Sequence, residues 1–423
     1  MKYKKSRYNY FVPYENNQTI LYNFYSNYTS LFDADTLKRY NGDQLTDNEQ
    51  EELYKRGFLV DIDRDELQLI KDDRLTQNTK ENEKLFRVWT TSGCNARCFY
   101  CFEKGLPVET MTEDRCYDVI KYITKDLKEK DRCVIEWFGG EPLLNTKAID
   151  KITAGVKAIC KEKNVHYHST IITNGSLITP EIVNKMENEW DIIHAQITLD
   201  GSEEAYNKIK NYYNPEKHNF KQVIDNILLF KNSKKVYVTI RLNYTEDNYE
   251  ELLDVIRYLG EQLQGVKNIN CYVYPIWSTL NQDEEDKFIS TVQADQNLMN
   301  IFEEILKYNL NTIKKLIRTN RKLTSCKSCN INSCTILPSG KISKCSESFN
   351  IVYGDIVNGI QDKDGYMSWS TRDFDPKCED CVYLPICQGG CEASKHIDMP
   401  KCFAYKPIID DMLVWYVNKL QNK

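Results

Sequence analysis

Histidine is scarce in this chain, with five residues among 423, and positive charge is not in excess, because the formal net charge is −6. Nucleic-acid binders usually carry a basic face, so this charge gives no support to a DNA or RNA partner. No apolar run is long enough to cross a membrane, and no apolar stretch typical of a signal peptide follows the basic start. We therefore expect a cytoplasmic protein with no nucleic-acid or membrane partner.

Cysteine, in contrast, is abundant, with 16 residues. Because cytosolic thiols stay reduced, such a density indicates metal binding rather than disulfides. Zinc sites usually come as cysteine pairs or as mixed cysteine and histidine sets, and histidine is rare here. Four cysteines sit inside helix or strand patterns and are interpreted as buried apolar residues without a role: Cys116, Cys133, Cys160 and Cys271.

The most informative cysteines are Cys94, Cys98 and Cys101, which form a CxxxCxxC pattern with the aromatic Tyr100 before the last cysteine. The pattern follows an apolar, strand-like run. Three thiolates so close together can hold three irons of a [4Fe–4S] cluster and leave the fourth iron open to a small molecule. Three unconnected cysteines or a zinc site are the alternatives.

A second motif, Gly139-Gly140-Glu141-Pro142, follows another apolar strand and precedes a helical stretch. Two glycines let a ligand approach the backbone closely, and a carboxylate suits an ammonium group. Together with the CxxxCxxC pattern, this segment resembles the radical S-adenosylmethionine (SAM) superfamily. The resemblance implies that SAM chelates the open iron, that Glu141 helps to hold the methionine amine, and that reduction cleaves SAM to a 5′-deoxyadenosyl radical.

Strand-like and amphipathic stretches alternate six times within residues 81–320, which predicts an α/β domain with a parallel sheet. Six units match the partial (β/α)6 barrel of the radical SAM fold, and active sites of such barrels lie at the C-terminal ends of the strands. By the same resemblance, the SAM pocket is lined by Gly139, Gly140, Glu141, Pro142, Asn174, Ser176, Asp200 and Arg241.

Within this set, the resemblance places Ser176 near the ribose of SAM and Arg241 near its carboxylate. The Asn-Gly and Asp-Gly pairs at Asn174 and Asp200 are also common turns, and Arg241 could form a structural ion pair instead. One departure is visible, because many relatives follow the Asp-Gly pair with His-Asp and then Arg. This chain has Tyr-Asn-Lys-Ile-Lys at residues 206–210, and no role is assigned to it.

Residues 321–423 hold nine cysteines. A Pro-Ser-Gly turn over Pro338–Gly340 predicts a hairpin among them. The array resembles the SPASM domain of radical SAM peptide and protein maturases, which carries two auxiliary [4Fe–4S] clusters, and a zinc ribbon is the alternative. The resemblance assigns one cluster to Cys378, Cys381, Cys387 and Cys402, and the other to Cys345 and Cys391 with one or two of Cys326, Cys329 and Cys334.

Residues 1–80 precede the barrel, and the cofactor chemistry does not require them. The expected elements are strands at Tyr8–Pro13, Thr19–Phe24 and Tyr28–Phe32 and helices at Asp33–Tyr40 and Asp47–Lys55. This order is similar to the winged helix-turn-helix element of ribosomal peptide modifying enzymes, which takes up a leader peptide as an added strand along a sheet edge. An N-terminal cap over the barrel is the alternative.

The resemblance implies a radical SAM enzyme that removes a hydrogen atom from a residue of a precursor peptide with a leader and forms a crosslink. An external one-electron reductant would supply the electron that starts the reaction. If the first auxiliary cluster has only three thiolate ligands, its open iron could bind a substrate thiol, so a cysteine thioether is favoured. The alternatives are a carbon–carbon crosslink, an anaerobic sulfatase-maturating enzyme that forms formylglycine, and a non-enzymatic iron–sulfur carrier or leader-binding scaffold.

Overall fold

The computed structural model describes residues 2–245, 248–276, 295–317, 319–395 and 402–421. The N-terminal region runs β1 (Tyr3–Lys5), β2 (Asn9–Pro13), β3 (Thr19–Asn23), β4 (Thr29–Phe32), α1 (Ala34–Asn41), α2 (Asp47–Lys55), β5 (Leu59–Asp61) and α3 (Glu66–Asn78). The three strands and two helices expected in this region are confirmed to within one residue at each end. Strand β1 and helix α3 were not predicted.

Local capping explains where the first helices begin. The Asp33 side chain accepts a hydrogen bond from Thr36 N at the start of α1, and Thr46 and Glu49 form a reciprocal capping box at the start of α2. Strands β2, β3 and β4 form an antiparallel sheet in that order, while β1 pairs with β5. One face of this region closes a small core of its own, made of Tyr3, Leu21, Phe32, Tyr40, Leu53, Phe58 and Leu59.

The middle of the chain is the barrel. It runs β6 (Glu83–Thr91), α4 (Glu113–Thr124), β7 (Arg132–Gly139), α5 (Thr146–Glu162), β8 (His166–Thr173), α6 (Pro180–Asn188), β9 (Ile192–Leu199), α7 (Glu203–Lys210), α8 (Phe220–Leu228), β10 (Tyr237–Tyr244), α9 (Tyr249–Gln262), β11 (Ile269–Pro275), α10 (Asn297–Lys307) and α11 (Ile313–Leu316). Strands β6 to β11 pair in parallel in chain order. The six predicted strands and the parallel sheet are confirmed.

Alternation along the strands separates an apolar outer face from a more polar lumen. On β7, Ile135 and Trp137 are fully buried in the main core, whereas Glu136 between them pairs with Arg87 on β6 (Nε–Oε1, 2.5 Å). On β9, His194 Nε2 lies 2.9 Å from Thr239 Oγ1 of β10. The barrel therefore encloses side chains that can make hydrogen bonds.

The C-terminal region runs β12 (Ser333–Ile336), β13 (Lys341–Ser343), β14 (Gly354–Asp355), β15 (Gly359–Ile360), α12 (Lys363–Thr371), α13 (Pro376–Glu379), α14 (Leu384–Cys387) and α15 (Ile409–Gln421). The expected hairpin is confirmed as β12 and β13, with Gly340 at a φ of 86° in the turn. It is not a separate sheet, because β12 pairs in parallel with β6 and lengthens the barrel sheet to ten strands.

The N-terminal region docks onto the rest of the molecule through tyrosines. Tyr10 OH donates to Asp410 Oδ1 (2.7 Å) in α15, and Tyr22 OH donates to Thr319 Oγ1 (3.0 Å). Four of its apolar side chains, Val12, Ile20, Tyr22 and Phe24, belong to the main core. Across the part of the chain described, no helix combines the length and apolarity needed to span a membrane.

Candidate functional site

The loop that carries the first three cysteines begins where β6 ends, and the end of β7 lies directly against it. Gly140 N donates to Thr91 O (3.1 Å), and Glu141 N donates to Gly93 O (2.8 Å). A Cβ atom at Gly140 would come within 2.1 Å of Gly93 O, and one at Gly139 within 2.4 Å of Thr91 O. Two backbones therefore approach so closely here that only glycine fits.

Glu141 is fully buried, and protein donors already hold its carboxylate. Oε1 accepts hydrogen bonds from Leu143 N (3.0 Å) and Thr173 Oγ1 (2.7 Å), and Oε2 accepts one from Asn174 N (2.7 Å). Burial raises the pKa of Glu141, and these donors oppose that shift. A carboxylate has about four acceptor positions, so one remains free. Glu141 thus joins the ends of β7 and β8, and its contact with the methionine amine stays a prediction.

The loop after β8 holds the cysteine loop from the other side. Asn174 Nδ2 donates to Asn95 Oδ1 (2.8 Å) and lies 3.8 Å from Cys94 Sγ. Asn95 Nδ2 in turn donates to Ser176 Oγ (2.9 Å). The structure therefore brings the predicted residues Asn174 and Ser176 together with the first cysteine, and Asn95, which was not predicted, connects them.

Cys94, Cys98 and Cys101 are half-buried in this loop. Burial is the main cause that raises the pKa of Cys94 to about 11 and that of Cys101 to about 12, and the Cys98 thiol is a smaller contributor to both shifts. Without a metal the thiols stay protonated, whereas a bound metal deprotonates its thiol ligands. Three partly shielded thiols in one loop, with no fourth cysteine among them, fit a cluster that has one open iron.

Below this loop lies a buried polar network that the sequence did not predict as a unit. Lys210 Nζ lies 3.0 Å from Asp200 Oδ2, with side chains 3% and 1% exposed. Tyr100 OH and Asn243 Nδ2 both donate to Asp200 Oδ1 (2.8 and 2.7 Å), and Lys210 Nζ donates to Tyr100 OH (3.2 Å). Arg97 N donates to Lys210 O (2.7 Å). The network joins the cysteine loop to β9, β10 and α7.

Lys210 lies in the segment that departs from the relatives, and for that reason it received no role. Burial disfavours its charged form, but the Asp200 carboxylate, with smaller contributions from Cys98, Tyr100 and Tyr206, outweighs this effect and raises the pKa of Lys210 well above its ordinary value. The lysine is therefore charged and ion-paired. The sequence pattern that could have identified Lys210 is a basic residue at the end of a short helix that follows the Asp-Gly pair.

Arg241, predicted near the SAM carboxylate, lies on the lumen side of β10. Its Nε donates to Asn243 Oδ1 (2.9 Å), and its guanidinium lies 4.9 Å from the centre of the Tyr274 ring. Burial raises the pKa of Glu347, and the nearby Arg241 charge opposes this shift. Glu347 follows Cys345, so Arg241 lies between the SAM side of the barrel and the first auxiliary site.

Four of the five cysteines considered for the first auxiliary site lie in one group. Cys326 and Cys329 are 3.8 Å apart at Sγ. The hydrogen bond between these two thiols is the main cause that raises the pKa of Cys326 well above its ordinary value. The thiols of Cys345 and Cys391 also raise this pKa, so they lie nearby. Cys334 lies apart on β12, buried beside Tyr122, and burial raises its pKa to about 12.

The cysteines predicted for the second auxiliary site share a cavity of about 330 Å³, which is lined by Cys378, Cys381, Cys387 and Cys402. No three His, Cys, Asp or Glu side chains among the described residues converge as ligands of a single metal ion. A [4Fe–4S] cluster spreads its thiolates over four irons, so a shared cavity of this size fits a cluster.

Residues 89–259 match the model of the Radical SAM superfamily. This part of the chain is a Radical SAM superfamily domain. This superfamily uses SAM with a [4Fe–4S] cluster, and the matched residues include the cysteine loop, the Gly-Gly-Glu segment and the Asp200 network.

Two named relatives align with most of the chain. The radical SAM cyclopropyl synthase TigE of Paramaledivibacter caminithermalis is 21% identical over 403 residues, covering 85% of this chain and 80% of TigE. The cysteine-type anaerobic sulfatase-maturating enzyme of Clostridium novyi is 24% identical over 343 residues, covering 73% of this chain and 88% of the relative.

Solved structures share the fold. anSMEcpe with bound AdoMet superposes with a TM-score of 0.58 at 18% identity, covering 81% of this chain and 98% of that structure. Streptococcus suis SuiB bound to the precursor peptide SuiA has a TM-score of 0.52 at 16% identity, covering 96% of this chain and 99% of SuiB. The second match extends over almost the whole chain.

Proposed function

We propose that this radical SAM enzyme modifies a residue of a ribosomally made precursor peptide and forms a crosslink. The observation that carries the proposal is the position of the first auxiliary site at the barrel wall. Cys345 and Cys326 lie close enough to Arg87 of β6 for their charges to interact, and Arg87 pairs with Glu136 across the lumen side. A peptide residue held in the lumen would lie between the SAM loop and this site.

In this proposal, Cys94, Cys98 and Cys101 would hold the [4Fe–4S] cluster that binds SAM. Bound there and reduced by an external one-electron donor, the cluster with SAM would supply the radical chemistry needed to remove hydrogen from an unactivated carbon. The chain itself positions the loop. Glu141 and Asn174 fasten it to β7 and β8, and the Lys210–Asp200 pair supports it from below.

An aromatic cluster at the barrel mouth would keep water away from the reacting carbon. Trp89 packs against Phe138 and Phe349, with ring centres 5.8 and 5.6 Å apart, and Phe102 stacks on Phe138 at 6.3 Å. Phe102 follows the last cysteine of the SAM loop, and Phe349 follows the first auxiliary site. Exclusion of water from such a site prevents side reactions of a reactive intermediate.

For the bond formed, a cysteine thioether remains the first proposal and a carbon–carbon crosslink the second. The grouping of four cysteines at the first auxiliary site weakens the argument for an open iron there, because Cys326 and Cys329 could both be ligands. We therefore propose a thioether without a substrate thiolate on that cluster. The substrate thiol would lose its proton to the surroundings and form the C–S bond to the substrate radical, and an oxidised auxiliary cluster would accept the surplus electron.

Formylglycine formation is the second candidate function, and the match to the sulfatase-maturating relative over 88% of that protein favours it. The N-terminal region favours the precursor-peptide proposal, because the match to SuiB extends through it. Mass spectrometry separates the two candidates. A crosslink leaves a peptide that resists complete linear fragmentation, whereas formylglycine adds an aldehyde that reacts with hydrazide reagents.

The N-terminal sheet offers an edge for the leader. Strand β4 pairs with β3 and is the last strand of its sheet within the described residues, and Thr29, Ser30 and Leu31 are half-buried. An extended peptide could add there as a fourth strand, with main-chain hydrogen bonds giving affinity. We propose a cytoplasmic encounter in which this edge holds the leader while the lumen holds the modified segment.

Leader binding at β4 predicts slower hydrogen exchange there. With a precursor peptide at about ten times its Kd, amide exchange in β4 should slow by about tenfold, because the added strand stabilises the closed state. Hydrogen–deuterium exchange with mass spectrometry measures this, with β15 at the far end of the barrel sheet as the control edge. Equal slowing at both edges, or none at β4, would contradict the leader proposal.

The proposed cofactor set is tested by iron and sulfide analysis after anaerobic reconstitution. The wild type should bind about twelve irons, and the variant with Cys94, Cys98 and Cys101 all changed to Ala about eight, with SAM cleavage abolished. Cys334→Ala is the matched control, since Cys334 lies outside the auxiliary group, and it should retain about twelve. A wild type with about four irons would overturn the auxiliary clusters and the peptide-maturase proposal with them.

A further inference from the structure

One buried cation in the N-terminal region lacks the partners that burial normally demands. Arg74, on α3, is 4% exposed, and its Nε and Nη2 atoms have no hydrogen-bond partner among the described residues. The face of its guanidinium lies 4.5 Å from the centre of the Phe374 ring. A stacked ring leaves the in-plane N–H donors free, and unsatisfied buried donors of a charged group are costly.

Helix α3 carries this side chain to the first auxiliary site. Asn78, one turn after Arg74, accepts a hydrogen bond from Thr324 Oγ1 at its Oδ1 atom (2.7 Å), and Ile331 N donates to its carbonyl (2.8 Å). Thr324 and Ile331 lie on either side of the Cys326–Cys329 segment. The same helix therefore fastens this cysteine segment at both ends.

Cys329 is the auxiliary cysteine that lies near Arg74. It is fully buried, and its Sγ atom is 3.1 Å from Ser325 Oγ. The Arg74 guanidinium and the Cys329 thiol lie close enough for their charges to interact. Four thiolates outweigh the positive charge of an oxidised [4Fe–4S] core, so a cluster bound here is anionic, and reduction adds a further negative charge.

We infer that Arg74 is a positioning residue for the first auxiliary cluster, donating its free N–H groups to the cluster sulfurs near Cys329 and compensating their charge. The inference rests on the auxiliary cluster proposed above. It also gives the N-terminal region a part in the cofactor chemistry, which the sequence had assigned to the barrel and the C-terminal cysteines alone. Hydrogen bonds to cluster sulfurs and nearby charge both set the reduction potential of a cluster.

The test is a potentiometric titration followed by electron paramagnetic resonance, in the Cys94, Cys98 and Cys101 to Ala background so that only auxiliary clusters remain. R74Q should make one of the two signals harder to reduce, with the ratio of reduced to oxidised cluster at a fixed potential falling about tenfold, as expected for one hydrogen bond to a charged group. The second signal should not move. R257Q, which removes an arginine from an exposed ion pair on α9, is the matched control and should shift neither signal.

If R74Q folds but loses about four irons, R74K decides by the shift described below. R74Q with both signals unmoved and about eight irons overturns the inference. If R74Q fails to fold, R74K decides, since it keeps the charge and loses the planar pair of donors. The same signal should then shift by a smaller amount, and an unmoved signal overturns the inference. A parent that binds no auxiliary iron overturns the proposed function itself.

Discussion

Lys210→Met is expected to lower the free energy of unfolding by about 3–5 kcal/mol, because it leaves Asp200 charged and buried without its cation. The Asp200 and Lys210 side chains are 1% and 3% exposed, so water cannot replace the lost partner. Tyr100 also loses a donor, and the cysteine loop loses support from below. Chemical denaturation monitored by circular dichroism measures the stability, and anaerobic SAM cleavage measures the effect on the site.

Lys221→Met is the matched control for this prediction. Lys221 pairs with Glu203, but the side chains are 74% and 49% exposed, so its loss should change stability by about 0–1 kcal/mol. Adding Asp200→Asn to Lys210→Met should restore part of the stability, since it removes the uncompensated charge. Equal effects of Lys210→Met and Lys221→Met would show that the buried pair contributes no more than a surface pair.

Gly140→Ala should abolish binding of the SAM-cleaving cluster, with a loss of about four irons and of SAM cleavage. A Cβ atom at this position would lie 2.1 Å from Gly93 O and 2.7 Å from Ser92 O. Both neighbours are backbone atoms of the segment that leads into Cys94, so the clash cannot be relieved by a side-chain rotation. The cysteine loop must move, and the hydrogen bond from Glu141 N to Gly93 O is lost with it.

Gly105→Ala is the control for the glycine prediction. Gly105 lies shortly after Cys101 at a φ of 85°, and an added Cβ would meet nothing within 4 Å. Its substitution strains the backbone by roughly 1–2 kcal/mol but pushes on no neighbour. Iron content and SAM cleavage should therefore stay near those of the wild type. Full iron content in Gly140→Ala would show that the two backbones can separate without cost to the site.

The barrel could be read from the sequence because its signals are local. Each strand is an apolar run bounded by turn residues, and each helix has a repeating apolar face, so periodicity identifies both. Strand β9 was predicted at its observed bounds, Ile192–Leu199. Helix α3 was missed because its apolar residues make a weak stripe. Three of its buried residues are polar, namely Glu66, Arg74 and Asn78, which are buried by contacts with distant parts of the chain.

In the candidate site too, some residues could be predicted from the sequence and others could not. The residue type and spacing of Cys94, Cys98 and Cys101 are enough to predict that they bind a cluster. Lys210 carries no such pattern, since a lysine at the end of a helix is usually exposed, and its role depends on Asp200 and Tyr100 being brought to it by the barrel. For the same reason, spacing alone could not separate Cys334 from Cys326 and Cys329.

By itself, the sequence determined the alternating barrel, the cysteine and Gly-Gly-Glu motifs and the class of cofactor, because each depends on residues close together in the chain. Only the tertiary structure decided which cysteines lie together, that β12 continues the barrel sheet beside β6, and that Arg74 is buried close enough to Cys329 for their charges to interact. These depend on contacts between residues hundreds of positions apart. Such contacts are selected by burial and by the pairing of buried polar groups, which no local pattern records.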